Sequence, residues 1–416
     1  MITIHKLAFV LMAIAVGSAC KPKIHKTIIT NLDGLTVLNE DKEYTRPCNE
    51  SNNYIPDEFS EERTLRLNVH FMNTSKRDAN YTLEEGREFL YLVINNGNER
   101  LKDNHKMTLP VGNDTPVMDP LYQYKVVGLE EGDDGYYYHI DDEHYYFINR
   151  GRQKNNYNRA VIKKYAISSD SILNVFVISH PQDSLSSKTY KARSTGIALG
   201  TSVKIAGLYS NRATKKSWYF GTLLNHEIGH VLGLSHAWTK YDGCDDTPIH
   251  PNCFSTTSPP PCDSIHSNNL MDYNNSQMAI TPCQLGRIHK GFSTKKSKTR
   301  GLINTDWCIP NTEDVIVIDR HIEWKGSRDF SKDIIIQSGA RLDIHCRLSM
   351  ARGRKITVME GAALHLHNHA LIHNDCGDTW AGIEVQSKVD DISNQLFVYG
   401  RASMEDVYDS EKLSEP

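Results

Sequence analysis

Apolar and polar side chains alternate between positions 65 and 71, with Leu65, Leu67, Val69 and Phe71 on one parity and Arg66, Asn68 and His70 on the other. That period of two predicts a strand with one face on a core and the other toward solvent. After Thr82 the spacing becomes helical, and Phe89, Leu90, Leu92 and Val93 form one apolar face over 82–96. Thr82 with Glu85 three positions on is a capping box, which marks where that helix starts. The tract 132–157, rich in Tyr, Asp and Asn, keeps neither period and reads as an irregular insertion. Beyond it, 172–178 is a near-continuous apolar run suited to a buried strand, and 196–209 is a looser one interrupted by Gly196, Gly200 and Gly207. Thr281, Pro282 and Gln284 supply the N-cap, first-turn proline and capping partner of a closing helix through Ile288. The pattern is that of an α+β domain over 61–300, a mixed sheet packed on helices.

The pattern changes again after Asp306, toward short β-like runs separated by glycines. Ile336-Gln337-Ser338-Gly339-Ala340-Arg341-Leu342 matches Val358-Met359-Glu360-Gly361-Ala362-Ala363-Leu364, an internal repeat of 22 residues. Solenoid coils commonly have periods of about 20–30 residues. The expectation for 311–416 is therefore a small β-rich, β-helix-like module, with a β-sandwich as the alternative. His365, His367 and His369 alternate there, and are expected to share one exposed strand face.

Composition narrows the class. The 47 basic and 51 acidic residues give a net charge of −4, with no dense basic cluster beside aromatics. That excludes the electrostatic footprint of a nucleic-acid binder. Residues 1–20 join Lys6, an apolar run from Leu7 to Val16 and the small residues Gly17, Ser18 and Ala19 before Cys20. The run is too short to span a bilayer and reads as a secretion signal, so an extracytoplasmic location is expected. Lipidation of Cys20, with anchoring to a membrane or outer-membrane surface, and simple cleavage after Ala19 both fit the small residues that precede it. Residues 21–60 are polar, with Pro47, Pro56 and little periodicity, and read as a pro-segment. Eight further cysteines suit an oxidising compartment.

The chemistry is concentrated in His226-Glu227-Ile228-Gly229-His230-Val231-Leu232-Gly233-Leu234-Ser235-His236. On a helix, residues four apart share a face, so His226 and His230 can present two imidazoles to one ion. Gly233 can take the left-handed conformation that ends a helix, which lets the chain turn and bring in His236. Three neutral imidazoles with an open fourth position form a catalytic rather than a structural zinc site. Glu227 is one residue round from the first ligand, where it can act as general base for a water attacking a peptide bond. A bare His-Glu-x-x-His arises by chance in ordinary buried helices far more easily than this longer form.

The motif resembles that of the metzincin zinc endopeptidases, and Asn268-Asn269-Leu270-Met271-Asp272-Tyr273 resembles their Met-turn. Met271-Asp272-Tyr273 with Asp246-Thr247-Pro248 is similar to the pappalysin or cytophagalysin type. The resemblance implies that Met271 lies beneath the zinc, that Tyr273 stabilises the oxyanion, and that an edge strand within 196–209 receives an extended peptide substrate. Pairing of Cys244 with Cys262 and of Cys253 with Cys283 is the expectation from the residues, with two other connectivities of these four cysteines open; the resemblance further implies latency through a Cys48 thiolate on the zinc, and pairing of Cys48 with another cysteine is the competing reading. The segment Gly243-Cys244-Asp245-Asp246 is compressed where such enzymes carry calcium ligands, which argues against calcium and leaves Zn2+ as the expected cofactor. The expected function is a zinc metalloendopeptidase made as a zymogen, acting on protein or peptide, with a C-terminal module that binds a surface, glycan or protein. The alternatives are a non-catalytic adhesin working through that module, and a polysaccharide-acting β-helix enzyme, for which the module has no convincing pair of carboxylates.

Overall fold

The computed structural model describes residues 24–39, 47–389 and 391–408. The expected signal segment and Cys20 lie outside them. Among the described residues no helix is long and apolar enough to cross a membrane.

The central strand of the first sheet, β1 (Arg63–Asn73), is long enough to pair with two strands in succession on one side. Its first half runs parallel to β2 (Tyr122–Val126) and its second half to β3 (Tyr136–Ile140). On the other side follow β4 (Leu173–Ile178), then β6 (Ser202–Ala206), both parallel. Finally β5 (Thr195–Ala198) forms the edge and is the one antiparallel member. Leu65, Leu67, Val69 and Phe71 face a core shared with three helices: α1 (Leu83–Lys102), α2 (Ser217–Val231) and α3 (Pro282–Ser293). Both predicted capping boxes are present, Thr82 with Glu85 and Thr281 with Gln284.

Three differences from expectation have physical causes. The alternating strand is not half-exposed, because Phe147 and Val161 pack over Met72 and Phe176 on its second face. The tract 132–157 thus supplies a strand and a cover rather than only a surface loop. Helix α1 continues six residues past Asn96, although Asn95-Asn96-Gly97-Asn98 looks like a stop. Gly97 is instead the crossing point with α2: a Cβ there would lie 2.9 Å from Asn225 Oδ1, and one on Gly221 would lie 2.9 Å from the Gly97 nitrogen. The loose run 196–209 divides at Gly200, which has φ of +77°, into an edge strand and its inner neighbour.

The second unit winds its strands into three parallel sheets around one apolar core containing Trp324, Ile336, Leu342, Val358, Leu364 and Trp380. Successive coils pair Ile336 with Val358 and Leu342 with Leu364, the register of the 22-residue repeat. Residues expected in a polar leader join this unit. His25–Ile29 pairs antiparallel with Ile383–Ser387, and Val37–Leu38 parallel with Leu396–Tyr399. The three alternating histidines are not a plain exposed face. His365 is buried and stacks on Phe397 at 4.3 Å, His367 bonds Asp343 and stacks on His345 at 3.8 Å, and His369 sits in a turn at φ of +65°.

A buried charge network joins the units. Arg300 donates to both Asp329 oxygens at 2.8 and 3.0 Å and to Asp375 at 2.7 Å, while Arg347 donates to Asp329 at 2.6 Å. The disulfides Cys48–Cys346 and Cys308–Cys376 tie the same boundary.

Candidate active site

Helix α2 carries His226, Glu227 and His230, and it breaks at Gly233, whose φ is +93°. The Gly233 and Leu234 nitrogens then bond back to the carbonyls of His230 and Gly229, which turns the chain so that His236 faces the helix. One ring nitrogen from each of the three histidines lies within 4.8 Å of the others. His226 donates from Nδ1 to the Leu270 carbonyl at 2.8 Å, and His230 from Nδ1 to the Leu234 carbonyl at 2.9 Å. Both tautomers are thereby set with an Nε2 lone pair turned inward. His230 Nε2 faces His236 Nε2 at 3.1 Å.

This donor set fits a metal. Tetrahedral zinc with nitrogens about 2.0–2.1 Å away separates its ligands by about 3.3–3.4 Å, close to the 3.1 Å between His230 and His236 Nε2. Burial, with the neighbouring imidazoles, lowers His226 to about 3 and His236 to about 4, so both rings are neutral donors at physiological pH. A second cluster, Cys244, Asp246 and Cys283, is no such site. Its sulfurs are bonded to one another, and Asp246 accepts from Thr281 Oγ1 at 2.7 Å and from the Cys283 nitrogen at 3.0 Å, capping α3.

Glu227 lies under the edge strand. A Cβ on Gly196 would stand 2.5 Å from Glu227 Cγ and 2.7 Å from Oε1, so only glycine leaves room for the carboxylate. Burial pushes Glu227 up to about 8, partly offset by a hydrogen bond from the Ala198 backbone. Tyr273 is half exposed, its ring 4.8 Å from that of His236 and 5.5 Å from that of His226. Trp238 stacks on His236 at 4.1 Å and touches Tyr273, so the third histidine packs against two aromatic rings. Met271 is fully buried beneath the helix, where a Cβ on Gly229 would come 2.5 Å from its Sδ. Gln277 donates to the Leu270 carbonyl that orients His226, at 2.9 Å, and to the Asp272 carbonyl at 2.5 Å.

The structure therefore brings His226, Glu227, His230, His236, Met271 and Tyr273 together. It corrects the cysteines. Cys48 is bonded to Cys346, not free to reach the histidines. Cys244 pairs with Cys283 and Cys253 with Cys262, in place of the crossed pairing. Cys253 and Cys262 share one irregular loop, while Cys244 sits against the first turn of α3 that carries Cys283. Gly196, Trp238 and Gln277 escaped the sequence reading. A glycine inside an apolar run and a tryptophan two residues after His236 are the signals that could have found the first two.

No protein-family model matches the chain, and no curated protein matches it significantly. Among solved structures, mature mirolysin of Tannerella forsythia in complex with a cleaved peptide is 18% identical with a TM-score of 0.41, covering 58% of this chain and 96% of that one. A promirolysin mutant from the same organism is 16% identical with a TM-score of 0.43, covering 60% and 85%. Likenesses this distant carry no argument, and the chemistry rests on the geometry above.

Proposed function

We propose that the chain is a zinc-dependent metalloendopeptidase. The observation that carries the reading is the three-nitrogen corner of His226, His230 and His236, two of its rings locked in tautomer by backbone carbonyls, with Glu227 seated beside it under an open strand edge.

Zinc held by the three histidines would supply a Lewis acid that activates water and polarises the scissile carbonyl. The outer edge of β5 has no partner strand among the described residues, so an extended peptide can add to it through main-chain hydrogen bonds. Glu227 takes the proton of the attacking water and passes it to the departing amine. Tyr273, whose ring lies 4.8 Å from that of His236, donates a hydrogen bond from its phenol to the developing oxyanion. Met271, packed against Gly229, is the floor on which the metal helix rests, as in the Met-turn of metzincins.

The three-sheet coil supports a β-helix-like module, and the proposal includes export, either as a secreted protein or attached to a membrane surface through Cys20. Latency through Cys48 is dropped, because that sulfur is in a disulfide. The test is cleavage of an unlabelled protein such as casein by the zinc-loaded chain. Cleavage that is lost in Glu227→Gln, and lost reversibly with a chelator, is expected. Persistence of cleavage in Glu227→Gln would overturn the reading.

A further inference from the structure

The segment Asn149-Arg150-Gly151-Arg152-Gln153-Lys154-Asn155-Asn156-Tyr157-Asn158-Arg159 holds four cations and no carboxylate, in a chain whose net charge is −4. Its base is built with care. Asn155 Oδ1 accepts from the Ile148 nitrogen at 2.6 Å, its Nδ2 donates to the Tyr146 carbonyl at 3.3 Å, and Asn156 Nδ2 donates to Asn149 Oδ1 at 3.1 Å. From inside the sheet the buried Lys204 donates to the carbonyls of Asn155 and Asn158 at 3.4 and 2.8 Å. A lysine charge is thus spent on fixing the loop from below. Arg150, Arg152 and Lys154 are left at the exposed tip, and none of them forms an ion pair among the described residues.

That tip stands at the proposed cleft. Asn149 Nδ2 donates to Thr195 Oγ1 at 3.1 Å, which joins the loop to the first residue of edge strand β5, one position before Gly196 and the Glu227 carboxylate. Arg150 and Tyr157 of the same loop lie near enough to the Tyr273 phenol to act on it electrostatically. The loop therefore reaches from the end of the strand toward the far wall.

We infer that this loop is a specificity element of the peptidase, selecting substrates with acidic side chains on the side of the scissile bond that lies beside Thr195. The inference rests on the peptidase reading. A peptide lying along β5 meets this basic loop where Asn149 joins it to Thr195, at one end of the strand. The charges are solvent-exposed and anchored, so the preference is modest, screened by salt, and confined to one side of the cut.

The test uses the full zinc-loaded chain and a set of quenched fluorescent peptides sharing one scissile core, with Asp, Asn or Lys placed singly at three positions on either side. Asp is expected to exceed Lys in kcat/KM by about two- to fivefold at positions on one side only, on the scale of one exposed ion pair. The ratio should shrink in high salt. Arg150→Glu with Arg152→Glu should invert it, and Arg150→Gln with Arg152→Gln, which perturbs the loop less, should bring it to about one. Equal cleavage of Asp and Lys peptides at every position by the wild type would overturn the inference and leave the peptidase reading intact. So would a preference that survives charge reversal. Failure to cleave any peptide, with Glu227→Gln indistinguishable from wild type, would overturn both.

Discussion

Replacing Gly196 by alanine adds one methyl group 31 residues away in sequence from the proposed general base, and should disable it. The built Cβ lies 2.5 Å from Glu227 Cγ and 2.7 Å from both Cδ and Oε1, where ordinary carbon contacts are about 3.5–4.0 Å. Glu227 is buried, and must move by about 1 Å. The backbone of Gly196 is not in the left-handed region, so alanine fits the strand itself and the clash falls on the carboxylate. A misplacement of about 1 Å in a reacting group costs about 10²-fold in rate, or about 2.7 kcal/mol of transition-state stabilisation. The expected result for Gly196→Ala is a loss of about 10²-fold in kcat/KM on a neutral peptide, with zinc content unchanged and Tm within a few degrees of wild type. Near-normal activity in Gly196→Ala would refute the seat described for Glu227.

Three further outcomes follow from the packing. Gly229→Ala gains helix propensity of about 1 kcal/mol but drives its Cβ toward Met271 Sδ, an overpacking cost of about 1–3 kcal/mol, so Tm should fall, and Met271→Ala in the same chain should restore part of it. Arg347 and Arg300 hold the Asp329 carboxyl well below its usual range against the desolvation that would raise it. A depressed carboxylate contributes stability above its unfolded pKa of about 4 and loses it as pH falls below that; Arg300→Ala should therefore lower Tm at neutral pH and flatten its decline in acid, as read by thermal melts from neutral pH downward. Because Cys48 is bonded to Cys346, a single protease cut near residue 60 should leave the N-terminal piece attached on a non-reducing denaturing gel and release it on reduction; release without reductant would contradict the pairing.

What could be read from sequence was what is local. The metal helix is legible because a spacing of four fixes a common face, and Gly233 because only a positive φ ends a helix that way. Both capping boxes and the 22-residue coil repeat are short-range patterns of the same kind. What failed depends on partners distant in the chain. Gly97 resembles a helix terminator until Gly221 and Asn225 are placed against it. The even positions of β1 look solvent-facing until Phe147 covers Met72. Cysteine pairing is worse placed still, since four cysteines give no local signal of connectivity.

The site shows the same division, with a consequence for where variation is tolerated. His226, His230 and His236 are set by one turn of helix and one glycine, but the tautomers come from carbonyls of Leu270 and Leu234, and the base is seated by a strand edge. The Leu270 carbonyl is itself held by Gln277, and Asn269 accepts the Met271 nitrogen at 2.8 Å. A motif search sees the ligands and misses these supports. Substituting Gln277 by leucine should therefore leave the three imidazoles in place while freeing the carbonyl that orients His226, weakening zinc affinity on the scale of about 10–100-fold seen for outer-shell partners. Competition with a chromogenic chelator measures that affinity directly. An unchanged zinc affinity in Gln277→Leu would mean that α2 and Gly233 alone hold the metal corner, and that the loop carrying Met271 serves only as packing.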